Sequence, residues 1–212
     1  MNVKVVSRIL QANDRIAGEN RALFKEKGIY AMNLMSAPGA GKTTLLESTI
    51  RSLKGKKRIG VIEGDIDTDR DARRIASLGA PVVQINTHGA CHLDANMIRE
   101  VTADFPFSDI DLLFIENVGN LVCPAEFDVG ENEKVMILSI AEGDDKPLKY
   151  PLMFRESSAL ILNKIDLLPY VDCSVEKIRS DVAKLNPGIK IFEVSCKTGQ
   201  GLDAWYDWLM LK

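Results

Sequence analysis

The sequence has little of what would mark a membrane, secreted or nucleic-acid-binding protein. It contains no run of about 18 apolar residues, the length that a transmembrane helix needs, and residues 1–20 lack the apolar centre of a signal peptide. Lysine and arginine number 27 against 30 acidic residues, so no basic excess is present to hold nucleic acid or an anionic membrane. We therefore expect a cytoplasmic protein with no nucleic-acid and no membrane partner.

Cysteine and histidine are also scarce, with four and two residues among 212. Four cysteines are too few for a disulfide scaffold in an intracellular chain of this length, so each is a candidate for core packing, redox chemistry or metal binding. Internal repeats, low-complexity tracts and linkers rich in proline, glycine or serine are missing as well. These absences predict a single domain over residues 1–212.

The sequence does contain short apolar runs that alternate with longer segments, in which apolar residues recur at the spacing of a helix. An amphipathic helix is predicted over residues 3–27, packed on the domain that follows it. Strands alternating with helices imply crossover connections, and hence an α/β fold with a mainly parallel sheet and helices on both faces. Ligands of such sheets lie outside the carboxyl ends of the strands. The predicted strands cover residues 29–35, 59–63, 82–85, 112–116, 135–140, 159–162 and 189–194.

A glycine-rich segment joins the first predicted strand to a predicted helix over residues 45–53. It follows the phosphate-loop (P-loop) pattern Gly-x-x-x-x-Gly-Lys-Ser/Thr, except that Ser36 occupies the position of the first glycine. Small residues let backbone N–H groups turn toward phosphate oxygens, Lys42 would add positive charge at the β- and γ-phosphates, and the Thr43 hydroxyl would bind Mg²⁺. The predicted nucleotide-binding residues here are Gly39, Ala40, Gly41, Lys42, Thr43 and Thr44.

Two later segments select the base of the nucleotide. Asp166, in the sequence Asn163-Lys164-Ile165-Asp166, can accept two hydrogen bonds from the N1–H and N2–H₂ edge of guanine, whereas adenine offers no donor pair there. Lys164 would cover the base with its alkyl stem, and Asn163 would tie loops together. Backbone N–H groups of the segment beginning Ser195-Cys196-Lys197 can reach the guanine O6. We predict GTP or GDP as the ligand, with ATP as the alternative.

Acidic residues follow two of the predicted strands. The loop after residues 59–63 carries Asp65, Asp67 and Asp71, of which Asp65 is our first candidate for the Mg²⁺ shell because Mg²⁺ prefers oxygen ligands. Glu116 ends the strand 112–116 and would reach the metal through water or position the attacking water. The predicted catalytic residues are Lys42, Asp65, Asp67 and Glu116.

Soft metal ligands lie beyond the carboxyl ends of two other strands. Cys91 and His92 follow the strand 82–85, and Cys123 follows the loop after Glu116, so the three side chains can meet in space. Thiolate and imidazole suit Zn²⁺ and Ni²⁺. Three ligands do not complete a tetrahedron, but a two-fold dimer could do so with both cysteines of each chain. Spacing alone equally allows two core cysteines and an exposed histidine.

Taken together, these segments resemble the HypB family, the GTPases that help deliver nickel to [NiFe]-hydrogenase. The resemblance extends over nearly the whole chain, and the motifs that carry it are Pro38-Gly39-Ala40-Gly41-Lys42-Thr43-Thr44, Glu63-Gly64-Asp65, Gly89-Ala90-Cys91-His92-Leu93, Glu116-Asn117-Val118-Gly119-Asn120-Leu121-Val122-Cys123-Pro124 and Asn163-Lys164-Ile165-Asp166.

The resemblance implies a SIMIBI-class G domain that hydrolyses GTP slowly and forms a homodimer promoted by GTP and metal. It implies Zn²⁺ or Ni²⁺ at Cys91, His92 and Cys123. The implied partners are a HypA-like nickel metallochaperone and, through it, the hydrogenase large subunit. Some family members begin with a cysteine motif or a histidine tract, but this chain starts Met1-Asn2-Val3, and we expect no N-terminal nickel store.

Three other functions stay open at the level of the sequence. One is a nickel or zinc metallochaperone or storage module whose GTPase activity is vestigial. Another is a UreG-like urease accessory GTPase, although the UreG metal motif is Cys-Pro-His, and here Ala125 follows Cys123-Pro124. A GTPase without any metal chemistry is the most general alternative.

Overall fold

Strands and helices alternate from residue 30 onward in a computed structural model that describes residues 4–66 and 68–212, with the side chains of residues 4–9 left aside. The strands are β1 (Tyr30–Ser36), β2 (Ile59–Asp65), β3 (Val82–Asn86), β4 (Leu112–Glu116), β5 (Glu133–Ser139), β6 (Ala159–Asn163) and β7 (Lys190–Glu193). The α-helices are α1 (Lys4–Glu26), α2 (Lys42–Leu53), α3 (Arg70–Ala76), α4 (Ala95–Thr102), α5 (Cys123–Glu126), α6 (Lys146–Lys149), α7 (Pro151–Glu156), α8 (Val175–Leu185) and α9 (Leu202–Met210).

The seven strands form one parallel sheet in the order β3-β2-β4-β1-β5-β6-β7. This confirms the predicted α/β class with a parallel sheet. Strands β4 and β6 are buried throughout, as continuous apolar runs predict for strands covered on both faces. Because all seven strands run in the same direction, their carboxyl ends lie along a single edge of the sheet.

Helices cover both faces of the sheet. Leu45 and Leu46 of α2 and Trp205 of α9 belong to one core cluster, in which they join Leu34 and Phe114 of the sheet. Phe24 of α1 and Ile98 of α4 belong to a second cluster on the opposite face. A third cluster lies under α7 and α8 and includes Phe154, Leu160 and Ile178.

Helix α1 packs on the sheet through a stripe that contains two asparagines. Asn13, Ala17, Asn20 and Phe24 are all buried. Asn13 Oδ1 accepts a hydrogen bond from Ala95 N at 2.9 Å, and Asn20 Nδ2 donates to Ala95 O at 2.9 Å. The buried face of α1 therefore holds the backbone of the first residue of α4 through two side-chain amides. Residue 3, where the predicted helix starts, lies outside the described part of the chain.

Several element boundaries differ from the prediction. The helix predicted over residues 45–53 begins three residues earlier, at Lys42, because Gly41 adopts φ 108° and turns the chain directly from the phosphate loop into the helix. Strands β2 and β3 extend further than predicted, to Asp65 and Asn86. The ladder continues through these polar residues because the backbone, not the side chain, makes its hydrogen bonds.

Among the helices that the structure describes, none has the length and apolar character needed to cross a membrane.

Two glycines near the end of β7 give a matched test of backbone packing. Gly201 has φ +73°, and a Cβ added there would lie 2.0 Å from Glu193 O, whereas at Gly199, with φ +86°, a Cβ would meet nothing within 4 Å. We expect Gly199→Ala to lower the free energy of unfolding by about 1–2 kcal/mol, the cost of the left-handed backbone. Gly201→Ala should cost about 2–5 kcal/mol because strand backbone must also move. Urea denaturation measures both, and equal losses would contradict this packing.

Candidate functional site

The segments that the sequence singles out all leave the carboxyl edge of the sheet. A cleft of about 450 Å³ opens at this edge, above the ends of β1, β2 and β4. Its lining includes the phosphate loop, the acidic end of β2, the segment that follows β4, and Lys164. The residues that line it are Pro38, Gly39, Gly41, Lys42, Thr43, Thr44, Glu63, Gly64, Asp65, Ile66, Asp71, Arg74, Glu116, Asn117, Val118, Gly119 and Lys164.

The phosphate loop depends on two left-handed glycines, Gly39 at φ 75° and Gly41 at φ 108°. A Cβ at Gly41 would lie 2.4 Å from Asn163 Nδ2, so this position requires glycine for space as well as for conformation. Lys42 Nζ donates to Ser36 Oγ at 3.0 Å, so the serine that replaces the first glycine of the pattern holds the loop's lysine. Burial lowers the pKa of Lys42.

Around the predicted base site, Asn163 connects two loops. Its Nδ2 donates to Ala40 O at 2.9 Å, while its Oδ1 accepts from Lys164 N at 2.8 Å and from Cys196 N at 3.3 Å. Lys164 has φ 65°, and its Nζ donates to Gly39 O at 2.7 Å. The structure thus brings the phosphate loop together with both segments predicted to bind the base.

Asp166 faces the second of these segments. Its Oδ1 accepts a hydrogen bond from Ser195 Oγ at 2.6 Å, which fixes one oxygen of the carboxylate. Lys197 is exposed at the start of the following turn. Cys196 is half-buried, and burial raises the pKa of its thiol to about 11, so this thiol stays protonated and unreactive at neutral pH.

A pair of buried carboxyl groups lies at the floor of the cleft. Glu63 and Glu116 stand opposite each other on β2 and β4, and their residues are only 2% and 3% exposed. Thr43 Oγ1 donates to Glu116 Oε1 at 2.8 Å. Burial raises the pKa of Glu116 to about 7, and burial together with the charge of Glu116 raises the pKa of Glu63 to about 8.

The chemistry of these oxygens fits a divalent cation. Within the described part of the chain, the Oε2 atoms of Glu63 and Glu116 are buried and make no hydrogen bond. Buried carboxylate oxygens next to a threonine hydroxyl are the ligand types that Mg²⁺ prefers. The sequence analysis named Glu63 only as part of a family motif and not as a site residue, although, like Glu116, it is an acid at the end of a predicted apolar strand.

The other predicted acids lie around this pair. Asp65 lines the cleft, and its Oδ1 accepts from Thr68 N at 2.7 Å. Asp71 lies in an ion pair with Arg74 at 2.7 Å. The predicted catalytic residue Asp67 lies outside the described residues.

Beside the cleft, the loops after β3 and β4 bring together Cys91, His92 and Cys123. The two sulfur atoms are 3.1 Å apart, and Cys91 Sγ lies 3.7 Å from His92 Nδ1. One potential ligand atom from each residue lies within 4.8 Å of the others, the only such group of three found among the described residues. The other two cysteines lie elsewhere: Cys173 and Cys196 each pack against a hydrophobic core cluster.

Neighbouring side chains orient this cluster. Asn120 Oδ1 accepts from Val122 N at 2.7 Å, and its Nδ2 lies 3.7 Å from Cys123 Sγ. The ring of Phe127 stacks on His92 with the centroids 3.9 Å apart. Burial lowers the pKa of His92, which favours the neutral imidazole that metals bind. The contact with Cys91 raises the pKa of the Cys123 thiol, so an incoming metal must displace thiol protons.

Comparison with known proteins identifies the family of this chain. The profile of the family described as "CobW/HypB/UreG, nucleotide-binding domain" matches residues 30–193. Hydrogenase maturation factor HypB of Escherichia coli K12 is 50% identical over 201 residues, which cover 95% of this chain and 69% of the relative.

Two solved structures have the same fold. HypB from Archaeoglobus fulgidus matches with a TM-score of 0.89 and 43% identity, over 94% of this chain and 98% of that one. HypB from Helicobacter pylori in complex with nickel matches with a TM-score of 0.89 and 39% identity, over 95% of this chain and 94% of that one. The chain therefore belongs to the CobW/HypB/UreG family of nucleotide-binding proteins, within its HypB group of hydrogenase maturation factors.

Proposed function

We propose that this chain is a GTPase that binds nickel and uses its nucleotide state to control nickel delivery during [NiFe]-hydrogenase maturation. The observation that carries the proposal is the position of Cys91, His92 and Cys123 within 4.8 Å of one another, on the same sheet edge as the phosphate-loop cleft. The similarity to a HypB solved in complex with nickel supports nickel as the cargo.

GTP would bind with its phosphates in the loop Gly39–Thr44 and its base between Lys164 and Asp166. Lys42 supplies positive charge to the phosphates, and its low exposure keeps water from screening that charge. Asp166 accepts from the guanine edge with the carboxylate that Ser195 already orients. Adenine would leave this carboxylate without its donors, which is the physical basis of the choice of base.

Mg²⁺ would be held by Thr43 and Asp65, with Glu116 beside them. When bound, Mg²⁺ neutralises charge on the phosphate oxygens. Glu116 accepts from the Thr43 hydroxyl and has a further buried oxygen facing the cleft, with which it can orient a water molecule. Asp65 and Asp67 are the further candidates for positioning the attacking water.

Nickel, or zinc in its place, would be cargo at Cys91, His92 and Cys123. Thiolate sulfur and imidazole nitrogen suit both ions. Three protein ligands leave at least one coordination position open, which suits a site that must release its ion. A homodimer promoted by GTP and metal would supply the remaining ligands from the second chain. A HypA-like metallochaperone would then accept the ion on its way to the hydrogenase large subunit.

GTP hydrolysis distinguishes this proposal from a metal-storage module with vestigial GTPase activity. We expect Lys42→Ala to slow single-turnover GTP hydrolysis by about 100-fold or more, because it removes the main positive charge at the phosphates. Lys56→Ala, an exposed lysine beyond the end of α2, is the matched control and should hydrolyse GTP like the wild type. Hydrolysis at the wild-type rate in Lys42→Ala would favour the storage module.

Nucleotide choice depends on Asp166. We expect Asp166→Ala to weaken GDP binding by about 10–100-fold, the equivalent of losing hydrogen bonds to a charged group. Its affinity for ADP, measured in the same competition assay with a fluorescent nucleotide, should not change. Parallel losses for both nucleotides would show that Asp166 supports the loop and does not read the base.

The metal site is tested by its cysteines. Cys91→Ala and Cys123→Ala should each weaken nickel binding by more than about 100-fold, since loss of a direct ligand should exceed the cost of losing a supporting contact. Cys173→Ala provides the matched control, because this thiol packs against the core away from the cluster. Calorimetric titration of nickel into the GDP form measures the affinities, and wild-type binding in both variants would refute the site.

A further inference from the structure

One peptide link joins the nucleotide side of the sheet to the metal side. Glu116 is the last residue of β4, and Asn117 follows it directly, with its N–H donating to Leu34 O of β1 at 3.0 Å. Successive side chains of an extended strand point to opposite faces. Glu116 accordingly bonds Thr43 of α2, while Asn117 bonds groups on the face covered by α1 and α4.

Asn117 is 1% exposed, and both the oxygen and the nitrogen of its side-chain amide make hydrogen bonds. Its Oδ1 accepts from Leu93 N at 2.9 Å and from Val118 N at 3.0 Å. Its Nδ2 donates to Asn33 Oδ1 at 3.1 Å. Leu93 follows His92 directly in the chain, so the amide of Asn117 holds the backbone immediately beside two of the three metal-binding side chains.

Leu93 is also fixed from β2. It is fully buried, and a Cβ added to Gly64 would lie 2.7 Å from Leu93 Cγ. Gly64 stands between Glu63 and Asp65, the acids that face the cleft. The loop of Cys91 and His92 is therefore held between the acidic end of β2 and the asparagine at the end of β4.

The third ligand lies on the continuation of the same segment. A Cβ added to Gly119 would lie 2.9 Å from Pro38 Cα, so this glycine packs against the phosphate loop. One residue later, Asn120 bonds the backbone before Cys123 and lies beside its sulfur. Residues 116–123 thus contact the phosphate loop near one end and carry a metal ligand at the other.

From these contacts we infer that Asn117 is a positioning residue that couples the nucleotide state at Glu116 to the geometry of the metal cluster. This inference rests on the proposed function and names the element through which its regulation acts. Glu116 and Asn117 share one planar peptide unit, so a backbone shift of Glu116 toward a bound γ-phosphate and Mg²⁺ also displaces the Cα atom of Asn117. The movement reaches His92 through the bond to Leu93 and reaches Cys123 through residues 118–122.

The experiment compares nickel affinity in two nucleotide states of the full chain. Nickel is titrated into the protein loaded with GDP or with a non-hydrolysable GTP analogue, each with Mg²⁺. We expect the wild-type affinities to differ by about 5–150-fold, the range of typical allosteric coupling. Asn117→Ala should reduce this ratio to about 1–2-fold while both nucleotides still bind. Asn117→Asp, which keeps an oxygen to accept from Leu93 N, should retain most of the ratio.

The control is Asn186→Ala, which removes a side-chain amide that bonds Phe154 O and Ser157 O, away from both sites. This variant should lower thermal stability, because a half-buried amide loses its hydrogen bonds to backbone carbonyls, and it should leave the affinity ratio at the wild-type value. If Asn117→Ala does not fold, Asn117→Ser takes its place with the same expected loss, because the shorter hydroxyl cannot reach Leu93 N.

Three results would overturn the inference. The first is that the wild type binds nickel with equal affinity in both nucleotide states. The second is that folded Asn117→Ala or Asn117→Ser keeps the affinity ratio of the wild type, and the third is that Asn186→Ala loses the ratio as much as Asn117→Ala does. Failure of the wild type to bind nickel or GTP would instead refute the proposed function itself, and with it the coupling.

Discussion

The parallel alignment of the strands is the constraint on which the functional edge depends. Because β1, β2, β3, β4 and β6 all point the same way, one edge of the sheet carries the phosphate loop, the acids, the thiol and imidazole cluster and the segment predicted to bind the base. The strand order then sets which of them are neighbours. β4 lies between β2 and β1, which places Glu116 next to both Glu63 and Leu34, at the centre of the cleft.

The centre of the cleft brings several buried ionisable groups close together. Lys42 is desolvated, which lowers its pKa, and the same burial raises the pKa of Glu116 and of Glu63. Ionising two neighbouring carboxyl groups at the same time is unfavourable in a buried environment of low dielectric constant, unless positive charge lies close to them. The arrangement therefore favours ligands that bring both signs of charge, as a nucleotide with its divalent cation does. The cost of burying these groups is offset by the core clusters on either face of the sheet.

Much of the candidate site could be predicted from the sequence because its parts are local. The phosphate loop, the segment Asn163–Asp166 and the three side chains predicted to bind metal each depend on a short stretch placed after an apolar strand, and such stretches are recognisable without knowing the fold. Glu63, Asn117 and Phe127 received no individual role from the sequence because their contacts are with partners distant in the chain: Glu116 across the sheet, Leu93 on another loop and the ring of His92. Spacing along one strand or loop carries no information about such partners.

The sequence by itself determined the fold class and the chemical types of ligand, because hydrophobic periodicity specifies elements and short motifs specify donors and acceptors. The tertiary structure decided which of those groups meet. Cys91 and His92 lie in the same cluster as Cys123 only because β3 and β4 end at the same sheet edge and the loops that follow converge across the end of β2. It also decided that Glu116 and Asn117, adjacent in the chain, make their hydrogen bonds on opposite faces of the sheet. Successive side chains of a strand point to opposite faces, but their partners are known only when the elements that cover each face are known.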